Sequence, residues 1–316
     1  MSTQETVPAP PRKSAQEGFS SRWGFVLATA GSAIGLGNIW RFPYIAGENG
    51  GGAFLVPYLL ALIVIGMPVM VLELSAGRAG GAGVVGTFAW TRERAGFLGL
   101  LITAGVIFLL AYYLVVTGWA IGYFIQALAD RHPSFGDFTD GYTTLVYFAI
   151  AAAVTIAVVA GGVSKGIERF NMVLVPLLFA VIIGLAVYAF TLSGRREAME
   201  FYISPRAEAL GEAEVWIRAL GQCFFSVGVG MGVLITYGAY GRRDVGTPGL
   251  AATVGLADSG IALIAGFAIF PMIFTFGGSP AAGPGLAFEA LPRAFEQFSP
   301  LVGYLVAVTL EVAPFV

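Results

Sequence analysis

Charged side chains are scarce in this chain of 316 residues: they form 11% of it, while 57% of the residues are hydrophobic. The surface of a soluble domain carries roughly 25–35% charged residues, so lipid must replace water around most of this chain. Cysteine and histidine each occur once, which excludes an internal disulfide and a Cys/His zinc centre. A net charge of −2 without a basic stripe indicates no nucleic-acid partner.

The first 20 residues are polar and rich in Pro and Ser, and they lack the apolar run of a cleaved signal peptide. We expect residues 1–20 to form a disordered cytoplasmic tail and residues 21–316 to form a transmembrane domain. A membrane-spanning helix needs about 20 mostly apolar residues. The sequence predicts seven full spans and a shorter eighth, at 23–48, 51–76, 97–127, 143–161, 170–192, 213–239, 250–277 and 301–316.

Basic residues indicate the orientation of these spans, because Lys and Arg concentrate in cytoplasmic loops. With the N-terminus inside, the inner segments hold ten of the 17 basic residues: Arg12, Lys13, Arg22, Arg78, Arg92, Arg94, Lys165, Arg169, Arg242 and Arg243. The outer loops are acid-rich. We therefore expect a multi-pass protein of the inner (plasma) membrane, with its N-terminus in the cytoplasm and the lipid bilayer as its surroundings.

Two spans carry glycine clusters, although glycine costs about 1 kcal/mol relative to alanine inside a helix. The clusters are Gly31, Gly35 and Gly37 in span one, and Gly228, Gly230 and Gly232 in span six. Such glycines either allow close helix packing or interrupt the helix. Two clusters five spans apart favour interruption, which would free carbonyl groups for a cation and amides for an anion inside a buried cavity.

These spans resemble those of the neurotransmitter:sodium symporter family, in particular its bacterial amino-acid transporters. The resemblance covers residues 21–299 and is carried by the strings SRWGFVLATAGSAIGLGNIWRFPYIAGENGGGAFLVPY, GMPVMVLELSAGR, GGVSKGIERFN and GQCFFSVGVGMGVLITYGAY. It implies an all-α membrane protein with a leucine-transporter-like fold of two inverted repeats, with spans one and six discontinuous. The first repeat would cover residues 21–192, and a C-terminally incomplete second repeat would cover residues 213–316.

The resemblance implies two sodium sites built from oxygen ligands, which suit a hard cation. It assigns four residues of the chain to the first site: Ala33, Asn38, Ser226 and Asp258. The second site would use the carbonyls of Gly31 and Ile34 and hydroxyls from span eight, where the sequence offers only Thr309. The family's animal members also bind chloride; Tyr58, Gln222 and Ser226 match three of the residues they use, but Ala262 replaces a serine. Asp258 would supply the missing negative charge, so we expect sodium to be required and chloride not.

The resemblance also implies an amino-acid substrate, since Gly35 stands where the family's amine transporters carry an aspartate. Nine residues would contact the substrate: Ala33, Leu36, Gly37, Leu109, Tyr113, Phe225, Ser226, Gly228 and Met231. Gly228 and Met231 leave a wide pocket, which favours a large apolar or aromatic side chain. Arg41 and Phe225 would form the outer gate, and Glu73 would be a buried structural carboxylate.

Each ionisable residue also has a plainer interpretation. Asp258 could lie in water at the inner end of its span, Arg41 could anchor the chain at the interface, and Glu73 could reach the headgroups from a helix end. Buried intramembrane charges are costly and therefore usually functional. This favours the functional role given above for each residue: sodium ligand for Asp258, outer gate for Arg41 and structural carboxylate for Glu73. Phe19 stands where the family has an inner-gate tryptophan.

The sequence therefore predicts a sodium-coupled amino-acid symporter. Two alternatives stay open: a truncated, non-transporting membrane protein with a half-built site, and a pore lined by the glycine-rich helices. The truncated protein is considered because the chain ends near span eight, which would leave polar groups of the site without partners. An enzyme is not indicated, because the spans contain no nucleophile–base pair or metal-ligand cluster.

Overall fold

The computed structural model describes residues 18–35, 37–129, 131, 135–204 and 207–281, and all of its regular structure is helical. The α-helices are α1 (Arg22–Gly31), α2 (Phe42–Glu48), α3 (Gly52–Ala61), α4 (Met67–Gly80), α5 (Val84–Thr91), α6 (Gly96–Leu128), α7 (Phe135–Thr139), α8 (Thr143–Ala160), α9 (Arg169–Ala189), α10 (Arg195–Ile203), α11 (Ala207–Leu210), α12 (Ala213–Val227), α13 (Val233–Tyr240) and α14 (Thr247–Thr275). The predicted tail up to residue 17, span eight with Thr309, and Leu36 lie outside the described residues.

Shorter helical segments precede or join several of these helices. Three are π-helical, at Gly37–Arg41, Leu62–Gly66 and Val163–Glu168, and Glu93–Ala95 is a 3₁₀ turn. Five helical stretches in the described part of the chain are long and apolar enough to cross a membrane: Gly52–Gly80, Glu93–Gln126, Thr143–Ala160, Val163–Ala189 and Thr247–Thr275. They match predicted spans two, three, four, five and seven. Predicted spans one and six are each divided into two shorter helices.

Burial distinguishes a central helix from helices that face lipid. In α14, 67% of the most apolar window is buried, against 11% in α8. Phe108 on α6 and Ile156 on α8 leave 79% and 67% of their surface uncovered, as expected for side chains in contact with acyl chains. Helix α14 packs against α1, α4, α9 and α10. It therefore forms the centre of the bundle and carries Asp258 there.

Glycines bring α4 and α13 into backbone contact. A Cβ added at Gly77 would lie 1.8 Å from the Ile235 carbonyl oxygen, and one at Gly238 would lie 2.3 Å from the Leu74 carbonyl oxygen. Each glycine thus makes room for the backbone of the other helix, the small-residue packing typical of membrane helices. This contact fixes the second half of span six against span two.

One end of the bundle is held together by Glu168, at the end of the π-helical segment before α9. Its carboxylate accepts hydrogen bonds from the backbone N–H and the hydroxyl of Ser20, at 2.6 and 2.9 Å, and from those of Ser21, at 3.0 and 2.7 Å. The Ser21 hydroxyl also accepts a hydrogen bond from the Gly24 N–H at 2.8 Å, which caps α1. Glu168 therefore fastens the start of α1 to α9.

The loop after α13 meets the same end. Arg242 donates to the Ser20 carbonyl at 3.1 Å, and its own carbonyl accepts from Arg78 at 3.1 Å. Arg242 also hydrogen-bonds Asp244, which holds the pKa of that exposed carboxyl below its usual value. The segments predicted to lie inside thus meet at one end of the molecule, where Phe19 packs against Phe25 and Tyr237 with ring centroids 5.0 and 5.7 Å apart.

Replacing Glu168 with glutamine is expected to destabilise the protein by about 3 kcal/mol, because the new NH₂ group faces donors and hydrogen bonds to a charged acceptor are lost. The melting temperature of the purified chain, followed by tryptophan fluorescence, measures this. Glu214→Gln is the matched control, since Glu214 is 70% exposed in its pair with Arg218 and such pairs contribute little. Equal melting of the two variants would contradict the role of Glu168.

Candidate functional site

The interruption in span six consists of three glycines with left-handed backbone. Gly228, Gly230 and Gly232 have φ of 69°, 84° and 72°, values that side chains other than glycine adopt at a cost. Gly228 ends α12 and Gly232 precedes α13. The prediction that this cluster interrupts the helix is confirmed, because the structure has two helices where a single span would be continuous.

The interruption in span one depends on a side chain rather than on left-handed glycines. Helix α1 ends at Gly31 and helical structure resumes at Gly37. Between them the Asn38 Oδ1 accepts a hydrogen bond from the Gly35 N–H at 2.9 Å. Gly31 and Gly37 are needed for space: a Cβ would lie 1.9 Å from Asn171 Oδ1 at the first and 3.1 Å from the Phe225 ring at the second.

Three polar residues from three helical segments meet between the two interruptions. Asn38 Nδ2 donates to the Asp258 side chain at 2.7 Å and to its carbonyl at 2.9 Å. The Ser226 hydroxyl lies 3.0 and 2.9 Å from the two carboxylate oxygens of Asp258, and Asn38 Nδ2 lies 3.4 Å from the same hydroxyl. The structure thus brings together three of the four residues that the resemblance assigns to the first sodium site.

Asp258 is fully buried, with no exposed surface. It lies eleven residues into the 29-residue helix α14, or about 17 Å from its start. The interpretation that places it in water at the end of its span is therefore wrong. A buried carboxylate with no basic partner among its hydrogen bonds requires a proton or a cation close by.

A cavity of about 400 Å³ opens beside this group. Its walls include every residue predicted to contact substrate that the structure describes: Ala33, Gly37, Leu109, Tyr113, Phe225, Ser226, Gly228 and Met231. Leu36, the ninth, lies outside the described residues. The walls are mainly apolar, as in most sites for small organic ligands, and the volume accommodates an amino acid with a large side chain.

The turn after α1 brings backbone oxygens to the wall of this cavity. Ser32 and Ile34 donate their N–H groups back to Ala28 and Ala30, at 3.0 and 2.9 Å, and the Gly35 N–H binds Asn38. Among the described residues, no backbone hydrogen bond uses the carbonyl oxygens of Gly31, Ala33 or Ile34. These are the three carbonyls predicted for the sodium sites, and a carbonyl without a backbone partner can coordinate an ion.

Phe225 lines the cavity, and Arg41 packs against its ring. The Arg41 guanidinium lies over the Phe225 ring at 4.5 Å from its centroid, a cation–π contact. Arg41 also donates to the Gln222 Oε1, and Gln222 Nε2 donates to the Gly37 carbonyl at 3.3 Å. Arg41 is half-buried and held by Phe225 and Gln222, contacts that favour the gate over the interfacial anchor.

Glu73 reaches the interruption in span six from α4. Its Oε1 accepts a hydrogen bond from the Gly230 N–H at 2.6 Å. Its Oε2 is buried without a hydrogen-bond partner among the described residues. Half-buried Glu73 thus holds an amide freed by the interruption, a contact that favours the structural role over the headgroup interpretation.

The residues that match the family's chloride ligands also lie near Asp258. The Tyr58 hydroxyl is 3.0 Å from the Ser259 hydroxyl, and both residues are buried. Gln222 is engaged with Arg41 and Gly37, and Ser226 with Asp258. Of these residues, only Ser226 bonds the Asp258 carboxylate directly.

Two polar residues of the site were not predicted. Gln222 was noted only as a match to a chloride ligand, although it links Arg41 to the interruption in span one. Asn171, on α9, lines the cavity and touches Gly31. The available signal was an amide in the apolar run NMVLVPLLFAVIIG, because polar residues in membrane spans usually have a function.

The site suits an alkali cation better than a transition metal. The described residues contain no group of three or more His, Cys, Asp or Glu side chains that could hold a metal ion. The oxygens available are carbonyls, an amide, a hydroxyl and one carboxylate, which are hard ligands. A single negative charge matches a monovalent cation.

Comparison with known proteins extends this picture. A model of the sodium:neurotransmitter symporter family matches residues 16–144 and 134–311. A relative from Bacillus subtilis, named as an uncharacterized sodium-dependent transporter, is 37% identical over 305 residues, covering 92% of this chain and 67% of the relative. A sodium-dependent neutral amino acid transporter from Bos taurus is 29% identical over 272 residues, covering 73% of this chain and 37% of the relative.

The fold has a counterpart among solved structures. The crystal structure of MhsT in complex with L-phenylalanine superposes with a TM-score of 0.87 at 40% sequence identity, over 95% of this chain and 71% of that one. The predicted leucine-transporter-like fold with discontinuous spans one and six is confirmed. The chain spans about two thirds of the length of the bacterial relatives it matches.

Proposed function

The chain belongs to the sodium:neurotransmitter symporter family, and from this premise we propose that it carries an amino acid across the cytoplasmic membrane together with sodium. The observation behind the proposal is the buried group of Asn38, Ser226 and Asp258, of which Ser226 lines a cavity large enough for an amino acid. This arrangement would place the ion site beside the substrate site.

Sodium coupling follows from a shared ligand. We assign Ala33, Asn38, Ser226 and Asp258 to a first sodium ion, with the substrate's carboxylate as a further ligand. Binding of either partner then increases the affinity for the other by the same factor. The carbonyls of Gly31 and Ile34 belong to a second ion.

The substrate class follows from the cavity. The carboxylate would meet the Tyr113 hydroxyl and the amides near Gly37, and the amino group would meet carbonyls at Ala33, Phe225 and Ser226. Leu109, Tyr113, Phe225, Gly228 and Met231 would surround the side chain, and MhsT, with its bound L-phenylalanine, supports a large apolar or aromatic one.

Chloride is not required in this proposal, since Asp258 already supplies the negative charge beside the first ion. Arg41 and Phe225 form the outer gate. The end of the molecule with Glu168 and Arg242 faces the cytoplasm, which agrees with the basic residues of its loops.

The test is binding of radiolabelled L-phenylalanine to the purified chain in lipid nanodiscs, with sodium exchanged for potassium at constant ionic strength. Saturable binding in sodium that falls at least about tenfold in affinity in potassium is expected. Binding equal in the two salts would overturn the proposal, absence of binding would favour a non-transporting remnant, and sodium-independent conductance in proteoliposomes would favour a pore. Replacing chloride with gluconate is expected to leave binding unchanged.

A further inference from the structure

Asn171 is a buried amide at the inner part of the cavity wall. It is the third residue of α9, and 5% of its surface is exposed. Its Nδ2 donates to the Ile167 carbonyl at 3.0 Å. A carbonyl can only accept, so this bond identifies which side of the amide is NH₂ and points the carbonyl oxygen the other way.

The Oδ1 of Asn171 has no hydrogen-bond partner among the described residues, although it is buried. It lies against Gly31, where a Cβ would come within 1.9 Å of it and within 2.9 Å of Cγ. A buried acceptor without a donor costs about 1–3 kcal/mol. Because Asn171 also lines the cavity, this oxygen is placed to bind something that enters it.

The surroundings of this oxygen contain acceptors rather than free donors. The Ser32 and Ile34 N–H groups are used by Ala28 and Ala30. The Gly31 carbonyl, at the end of α1, accepts no backbone hydrogen bond among the described residues. Asn171 Oδ1 and the Gly31 carbonyl are thus two oxygens without a hydrogen-bond donor among the described residues, and a cation can bind both at once.

We propose that Asn171 Oδ1 is a sodium ligand at the end of α1, in the second ion site with the Gly31 carbonyl. The inference rests on the proposed function, and it adds a ligand from α9 that the resemblance does not assign. The ion would join α1 to α9 at the wall of the cavity, on the same two helices that Glu168 fastens at their ends. Sodium bound at this place would therefore hold α1, the first half of span one, against α9 in span five.

The test uses sodium titration of the purified chain, read both as labelled L-phenylalanine binding and as the rise in melting temperature with sodium, with choline keeping the ionic strength constant. Asn171→Ala is expected to lower the apparent sodium affinity at least about tenfold, because a ligand is removed. Asn171→Asp keeps the shape and adds charge, and is expected to raise the affinity by about the same factor.

Asn49→Ala is the matched control. Asn49 makes the same kind of bond to the carbonyl four residues earlier, at 2.7 Å, but it does not line the cavity. The sodium affinity of Asn49→Ala should therefore equal that of the unmodified chain. An unchanged sodium affinity in either Asn171 variant would overturn the inference, and the oxygen would then serve only a bound water. Should Asn171→Ala fail to fold, the aspartate variant alone decides.

The two proposals fail in different ways. If the unmodified chain shows no sodium dependence, the proposed function is wrong and the Asn171 ligand with it. If the unmodified chain depends on sodium while the Asn171 variants titrate as it does, only the ligand assignment is wrong.

Discussion

Asp258→Asn is expected to lower the apparent sodium affinity at least about thirtyfold, or about 2 kcal/mol, because it removes the single buried charge that faces the ion. Asparagine keeps the shape of the side chain, so the contacts with Asn38 and Ser226 change least. Sodium titration of labelled L-phenylalanine binding measures the loss.

Asp258→Asn also has an expected effect on the melting temperature. In potassium, Asp258→Asn should melt no lower than the unmodified chain, since burying a neutral amide costs less than burying a carboxylate. A purely structural role for Asp258 would instead lower the melting temperature in both salts. Asp244→Asn, an exposed change with its partner Arg242, is the control and should leave sodium affinity unaltered.

Gly77→Ala is expected to destabilise the protein by about 3 kcal/mol or more, the upper end for an overpacked interior. The added methyl group would lie 1.8 Å from the carbonyl oxygen and 2.6 Å from the carbonyl carbon of Ile235. These are backbone atoms, so relief requires α4 and α13 to separate. Thermal unfolding in detergent, followed by loss of the monodisperse peak in size-exclusion chromatography, gives the measurement.

Gly105→Ala provides the comparison. Gly105 is also a glycine inside a membrane helix, but a Cβ there meets nothing within 4 Å, and alanine is the better helix former by about 1 kcal/mol. Its melting temperature should match or exceed that of the unmodified chain. If Gly77→Ala behaved as Gly105→Ala does, the close contact between α4 and α13 would be wrong.

The sequence predicts the membrane spans well because lipid allows few solutions: a run of apolar residues must be helical to satisfy its backbone. The interruptions at Gly31–Gly37 and Gly228–Gly232 were also predictable, since glycine clusters are costly in helices. The sequence did not predict that the glycines of the two clusters serve different purposes. Left-handed backbone at Gly228 and close approach at Gly31 look alike in sequence and differ only in what lies opposite.

The partners of the polar residues depend on tertiary contacts. Asn38 and Asp258 were predicted to share a site through the family resemblance, because 220 residues separate them and no local pattern connects them. The four hydrogen bonds of Glu168 with Ser20 and Ser21, and the contact of Asn171 with Gly31, join span one to span five in the same way. Neither has a periodic signal that a single sequence could display.

In the proposed function, the amino acid and sodium occupy one shared site between the two interruptions. The most direct test of this shared site is sodium-22 binding to the purified chain, titrated with and without saturating L-phenylalanine. If the ion and the substrate share a ligand, L-phenylalanine increases sodium affinity by the same factor by which sodium increases L-phenylalanine affinity. Sodium affinity that is unchanged by the amino acid would contradict the shared site.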